Sequence, residues 1–125
     1  MTKRVLDVGN CQPDHAAIKR LVSRVGGEVV QAHGAEDAIV ALRGGEFALV
    51  LVNRKLDMDY SDGVEVIRQI KDDPQLAAVP VMLITNYPEH QDAAEALGAL
   101  RGFGKLEYEK PETISRLWAV LGEQD

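Results

Sequence analysis

An unbroken apolar run, FALVLV at 47–52, stops at Asn53, and a polar loop bearing Asp57 and Asp59 leads on to Asp62. Three carboxylates so close together could hold a hard cation or accept a transferred group. The plainer reading is a solvated acidic loop whose last member caps a helix, because such clusters become sites only when geometry brings them together. Asp7 lies inside another apolar stretch, VLDV. A carboxyl there is either hydrogen-bonded structure or a functional group with a perturbed pKa. Just beyond it, Gly9-Asn10-Cys11-Gln12 holds one glycine, and the chain contains neither GxGxxG nor GxxxxGK(S/T), so no phosphate cradle is encoded. Cys11 could be redox-active, but no activating base lies near it in sequence, and it reads as an inert thiol. His15, His33 and His90 stand singly, without ligand spacing, as surface or hydrogen-bonded histidines.

The elements that must position these residues follow from periodicity. Residues 47–52 show no polar alternation, which fits a strand buried on both faces of a parallel sheet. Asp62 can cap the helix after it, and Glu65, three residues on, completes a capping box. Residues 3–8 form a first strand. Residues 13–25 form a helix with Ile18, Leu21, Val22 and Val25 on one side, stopped by Gly26-Gly27. EVVQA at 28–32 is a less hydrophobic strand suited to an edge, and 35–43 a helix closed by Gly44-Gly45. VPVMLIT at 79–85 is a further buried strand. The helix at 88–97 offers mainly alanines and Leu97, so it should pack loosely. RGFGK at 101–105 is a short last strand, and Pro111 opens a final helix whose buried stripe is Ile114, Leu117, Trp118 and Leu121. Five strands alternating with five helices imply one domain over 1–125, with a parallel sheet and right-handed crossovers. The polar breaks after the first and third strands suit the order 2-1-3-4-5, with a crevice between those two strand ends.

Composition narrows the function. A net charge of −6 opposes a nucleic-acid surface as the main role, since phosphate binding needs a basic footprint. At 125 residues the chain can bury roughly two-thirds of its unfolded surface without metal or disulfide. One cysteine excludes an internal disulfide and fits a reducing compartment. No apolar stretch approaches the ~20 residues that span a bilayer, and no signal-peptide core precedes the first strand. A soluble, cytoplasmic protein is expected, without membrane attachment.

With these elements in place, the chain resembles the response regulator receiver domain, the CheY-like phosphoacceptor module of two-component signalling. The resemblance runs from Lys3 to Leu121 and rests on VLDV before a turn, FALVLVN, Asp62-Gly63, VPVMLIT, and Gly98-Ala99 leading to Lys105. It implies a flavodoxin-like three-layer sandwich. It also implies a site, and there the sequence departs from the pattern. Asn53 stands where the family keeps its phosphoacceptor aspartate, and Gly9-Asn10 stand where it keeps two acids for Mg²⁺. Thr85 matches the hydroxyl residue and Lys105 the lysine that contact the phosphoryl group. Leu106 replaces the proline after that lysine, Gly102 falls at the aromatic switch position with Phe103 beside it, and the loop after Asn53 is two residues longer.

A carboxamide is a far weaker nucleophile than a carboxylate, and Gly9, Asn10 and Asn53 carry no charge for a divalent cation. Both nucleophilic attack and charge stabilisation are removed. The expectation is therefore a pseudo-receiver: not an enzyme, with no catalytic or metal residues, no cofactor, and Mg²⁺ binding weak or absent. Lys105 then needs another anion, and Asp7, Asp57 and Asp59 are the expected candidates. By the resemblance, work passes to protein binding through the fourth helix, fifth strand and fifth helix, with a homodimer as one form of it. Three alternatives stay open: a phosphoacceptor relocated to Asp57 or Asp59, a small-molecule binder in the crevice, and a purely structural interaction domain. Asn53 could also be a simple strand-end hydrogen bonder in an inherited crevice without a task.

Overall fold

The computed structural model describes residues 3–122. Five strands, β1 (Lys3–Val8), β2 (Gly27–Ala32), β3 (Leu49–Asn53), β4 (Val81–Ile84) and β5 (Leu100–Phe103), form one parallel sheet in the order β2-β1-β3-β4-β5. Between and after them run α1 (Gln12–Ser23), α2 (Ala35–Gly44), α3 (Gly63–Asp72), α4 (Pro88–Ala96) and α5 (Pro111–Leu121). β3 is central. It pairs with β1 from Val5 opposite Leu49 to Val8 opposite Val52, and with β4 from Val50 opposite Val81 to Asn53 opposite Ile84.

Every residue of β3 is buried because the strand alternates between two cores. Val50 and Val52 join Val66, Ile67 and Ile70 of α3 on one face; Leu49 and Leu51 join Ile18, Leu117 and Leu121 of α1 and α5 on the other. Each fully buried large aliphatic contributes about 1.5–3 kcal/mol of transfer free energy, so this strand anchors the sheet. The less hydrophobic β2 takes one edge and β5 the other.

Three local expectations change. Asp62 caps α3 by accepting from Val64 N at 2.9 Å, but Glu65 closes no box; its carboxylate takes Arg68 Nε at 2.9 Å instead. Trp118 is not core: it is 48% exposed, since α5 turns only Thr113, Leu117 and Leu121 fully inward and leaves Ile114 partly covered. α4 has few large apolar residues, yet Gln91 pins it. Its Nε2 donates to Leu83 O at 2.9 Å and its Oε1 accepts from Gly102 N at 2.8 Å, joining the helix to both β4 and β5. Periodicity counts apolar residues and passes over such a buried amide.

Candidate functional site

The strand ends of β1 and β3 meet as the order demands, and Asn53 ties them. It is 8% exposed, and its Nδ2 donates to Gly9 O at 3.1 Å and to Lys55 O at 2.6 Å. Both partners are carbonyl oxygens, so only the amide nitrogen can face them. A carboxylate here would offer no donor and would set its charge against two carbonyls.

The loop after Asn53 folds back over the tip of β1. The backbones of Lys55 and Asp62 pair as an isolated antiparallel bridge, Leu56 N donates to Ser61 O, and Tyr60 N donates to Leu56 O, with Tyr60 in the left-handed region at φ 61°. Asp57 N donates to Gly9 O at 3.0 Å, which draws the buried Leu56 side chain onto Gly9. Gly9 has φ 78°, and a Cβ there would lie 2.4 Å from Leu56 Cδ2. The position where the resemblance expects an acid is therefore closed by backbone conformation and by a leucine. Gly63 is equally constrained, since its Cβ would come 1.9 Å from Asn53 O; α3 can approach β3 only without a side chain.

Asn10 is turned away from the crevice mouth. Its Nδ2 donates to Asp7 Oδ1 at 2.5 Å, and His15 Nδ1 lies 2.7 Å from Asp7 Oδ2. Asp7 is fully buried, and burial pushes its carboxyl above the ordinary value against the opposing effect of these two hydrogen bonds. It is hydrogen-bonded structure, as the plainer expectation had it.

Lys105 has a carboxylate partner, but none of the three expected. Its Nζ donates to Asp14 Oδ2 at 2.7 Å, whereas Asp7 is engaged by Asn10 and His15, and Asp57 by His33 Nδ1 at 3.2 Å. Asp59 Oδ1 accepts from Ser61 N inside its own turn. Asp14 also takes hydrogen bonds from Cys11 Sγ at 3.3 Å and Tyr108 OH at 3.4 Å. Burial alone would raise the Asp14 carboxyl; the bonds from Lys105, Cys11 and Tyr108 hold it below the ordinary value. The Tyr108 hydroxyl is pushed up by burial first and by the Asp14 charge second. Lys105 and Asp14 are 91 residues apart in sequence, and nothing in local spacing marks them as partners.

The remaining positions fall around the same mouth. Thr85 is buried, with Oγ1 3.2 Å from His90 Nδ1 and accepting from Tyr87 N at 3.3 Å. Gly102 lies against β4, where a Cβ would come 2.2 Å from Leu83 O, and Phe103 is a core residue packed edge-on against Tyr108. No aromatic can therefore swing at that position. Asp57 lines the crevice and Asp59 does not; it belongs to a separate depression beside α2. Among the described residues, no group of three or more His, Cys, Asp or Glu side chains could hold a metal ion. Asp14, Leu56 and Gln91 are the residues that sequence reasoning missed. For Leu56, the length of the loop was the available signal.

Comparison with known proteins places this geometry. No family model matches the chain. It is 28% identical over 96 residues to the gliding motility regulatory protein of Myxococcus xanthus, a stretch covering 77% of this chain and 12% of that protein. The chain thus spans about an eighth of the length of the curated relative it matches. Among solved structures, it superposes on a protein described as a response regulator from Chloroflexus aurantiacus with a TM-score of 0.85 at 18% identity, covering 98% of this chain and 100% of that one. Vibrio cholerae chemotaxis protein CheY4 gives 0.76 at 21% identity, over 97% and 100%. NtrX from Brucella abortus gives 0.73 at 25% identity, over 96% of this chain and 26% of that chain. No helix among the described residues is long and apolar enough to cross a membrane. The five parallel strands in this order, the five helices and these neighbours together assign the chain the CheY-like fold of response regulator receiver domains.

Proposed function

We propose that this chain is a receiver-fold signalling module that works by binding other proteins and does not accept a phosphoryl group. One observation carries the reading: the Asn53 amide nitrogen is spent on Gly9 O and Lys55 O. It supplies no nucleophile, and the neighbouring positions supply no carboxylate for Mg²⁺, because Gly9 has no side chain and Asn10 donates to Asp7. The Lys105 ion pair with Asp14 supports it further, since the cation already has its anion. Four large apolar side chains exposed on or beside α4, β5 and α5, namely Tyr87, Leu100, Leu106 and Trp118, support a protein-binding face there. Self-pairing through that face is one form of the same role.

A relocated acceptor is the second reading, and it narrows to Asp57, the one loop aspartate that lines the crevice. Incubating the chain with a small phosphodonor and Mg²⁺, followed by intact mass, separates the two. The proposal expects an unchanged mass. A labile phosphoryl adduct that disappears in Asp57→Asn would establish the second reading instead.

A further inference from the structure

The crevice opens into a cavity of about 530 Å³, a size within the range of small-molecule sites. Its walls combine three kinds of group. Apolar and aromatic surface comes from Leu56, Ile84, Tyr60 and Tyr87. Cations come from Arg54 and Lys55, with Lys105 already paired with Asp14, against one lining acid, Asp57, which is paired with His33. Asn53, Thr85 and Asn86 supply neutral polar groups.

Two details mark this as more than a gap between loops. Tyr60 is 77% exposed although its backbone is held at φ 61°, a conformation unfavourable for a non-glycine residue. Tyr87 is 59% exposed with its ring edge-on to His90 at 5.4 Å. Two aromatic rings are thus presented to solvent at the rim of one cavity. Arg54 adds the second detail: its Nε is buried and meets no hydrogen-bond acceptor among the described residues. Asp62 Oδ1 lies 3.9 Å from its Nη1, a loose ion pair that is too long for a hydrogen bond.

We infer that this cavity is a binding site for a small aromatic carboxylate, the ring lying on the Tyr60 and Tyr87 side and the carboxylate answering the Arg54 and Lys55 charge. Aromatic faces stack on flat ligands, and a guanidinium pairs with a carboxylate with a strength that a neutral group does not match. Binding there would supply the module with an input where the phosphoryl group is excluded. The inference rests on the proposed function to that extent, because a working acceptor would need the same space.

The test titrates the full chain, ¹⁵N-labelled, with 2-naphthoate, with 2-naphthylmethanol and with inorganic phosphate, following amide shifts. Saturable shifts at Tyr60, Asn86 and Tyr87 with 2-naphthoate are expected, with the neutral alcohol weaker by about tenfold. Removing both rings in Tyr60→Gly with Tyr87→Ala should weaken 2-naphthoate by about tenfold; these side chains are exposed, so the fold is left intact. Arg54→Gln should weaken it by at least about tenfold. The inference is overturned if 2-naphthoate gives no saturable shift, if the alcohol binds equally well, if the ring-removed variant binds as wild type does, or if phosphate moves the same amides while 2-naphthoate does not. A phosphodonor adduct by mass would instead overturn the non-phosphorylated reading, so the two failures are distinguishable.

Discussion

At the scale of single residues, the chain turns on what an amide can do that a carboxylate cannot. Gly9 makes the companion point. An aspartate there would meet Leu56 and would have to adopt φ 78°, so Gly9→Asp should lower stability by about 1–3 kcal/mol in urea unfolding and should not create a Mg²⁺ site. The uncharged residues Gly9, Asn10 and Asn53 were visible in the sequence, because each stands at a place the strand pattern marks. Their consequences were not. That Leu56 would cover Gly9, and that Asp14 rather than Asp7, Asp57 or Asp59 would hold Lys105, depends on contacts between segments that no local pattern records.

The buried Asp7 and the part-buried Asp14 give opposite pH signatures. Asp14 has its folded pKa depressed, so its contribution is present above the ordinary value of 3.8 and is lost as pH falls through the folded value. Asp14→Asn should therefore flatten the acid limb of the stability profile. Asp7 has its folded pKa raised by burial, so its effect runs the other way: stability declines as pH rises from 3.8 through the folded value. Wild type should lose ground against Asp7→Asn over that window, with chemical denaturation at stepped pH as the check. Parallel behaviour of the two variants would contradict the assigned directions.

At the scale of elements, the strands were legible and the helices only in part. Runs such as FALVLV and VPVMLIT have no alternation, and a strand buried on both faces is the economical way to hide them. Boundaries moved by a residue or two, since helix and strand ends are settled by caps and pairing rather than by hydrophobicity. Trp118 stands at the stripe spacing expected of a core aromatic, but α5 buries a narrower stripe and leaves it half-exposed. Its indole should accordingly emit as a partly solvated tryptophan and be quenched readily by acrylamide; blue-shifted, quencher-resistant emission would restore it to the core. Gln91 carries the opposite lesson. Gln91→Leu would leave Gly102 N and Leu83 O without these partners, costing about 1–3 kcal/mol and speeding amide exchange in α4 and β5 ahead of the rest of the sheet.

At the scale of the whole molecule, the fold has the receiver architecture, and side chains tie across its crevice. β1 and β3 still meet at the switch point, but an amide, a glycine and a leucine knit them together, and the lysine is latched to α1. A receiver that switches needs two arrangements of comparable free energy. On the proposed reading, these cross-ties favour one. Alternating strands and helices made the architecture legible from sequence, because few topologies survive the rules on parallel strands and crossover hand. That an asparagine ends β3 was equally legible; the contacts its amide makes were not.

The most direct measurement is made on Asn53→Asp, combining denaturant unfolding with intact mass after a phosphodonor and Mg²⁺. If the amide is a structural tie, the variant is less stable than wild type by about 1–3 kcal/mol and gains no phosphoryl mass. A variant as stable as wild type that acquires a Mg²⁺-dependent phosphoryl group would show that the crevice is a working acceptor site lacking only its carboxylate.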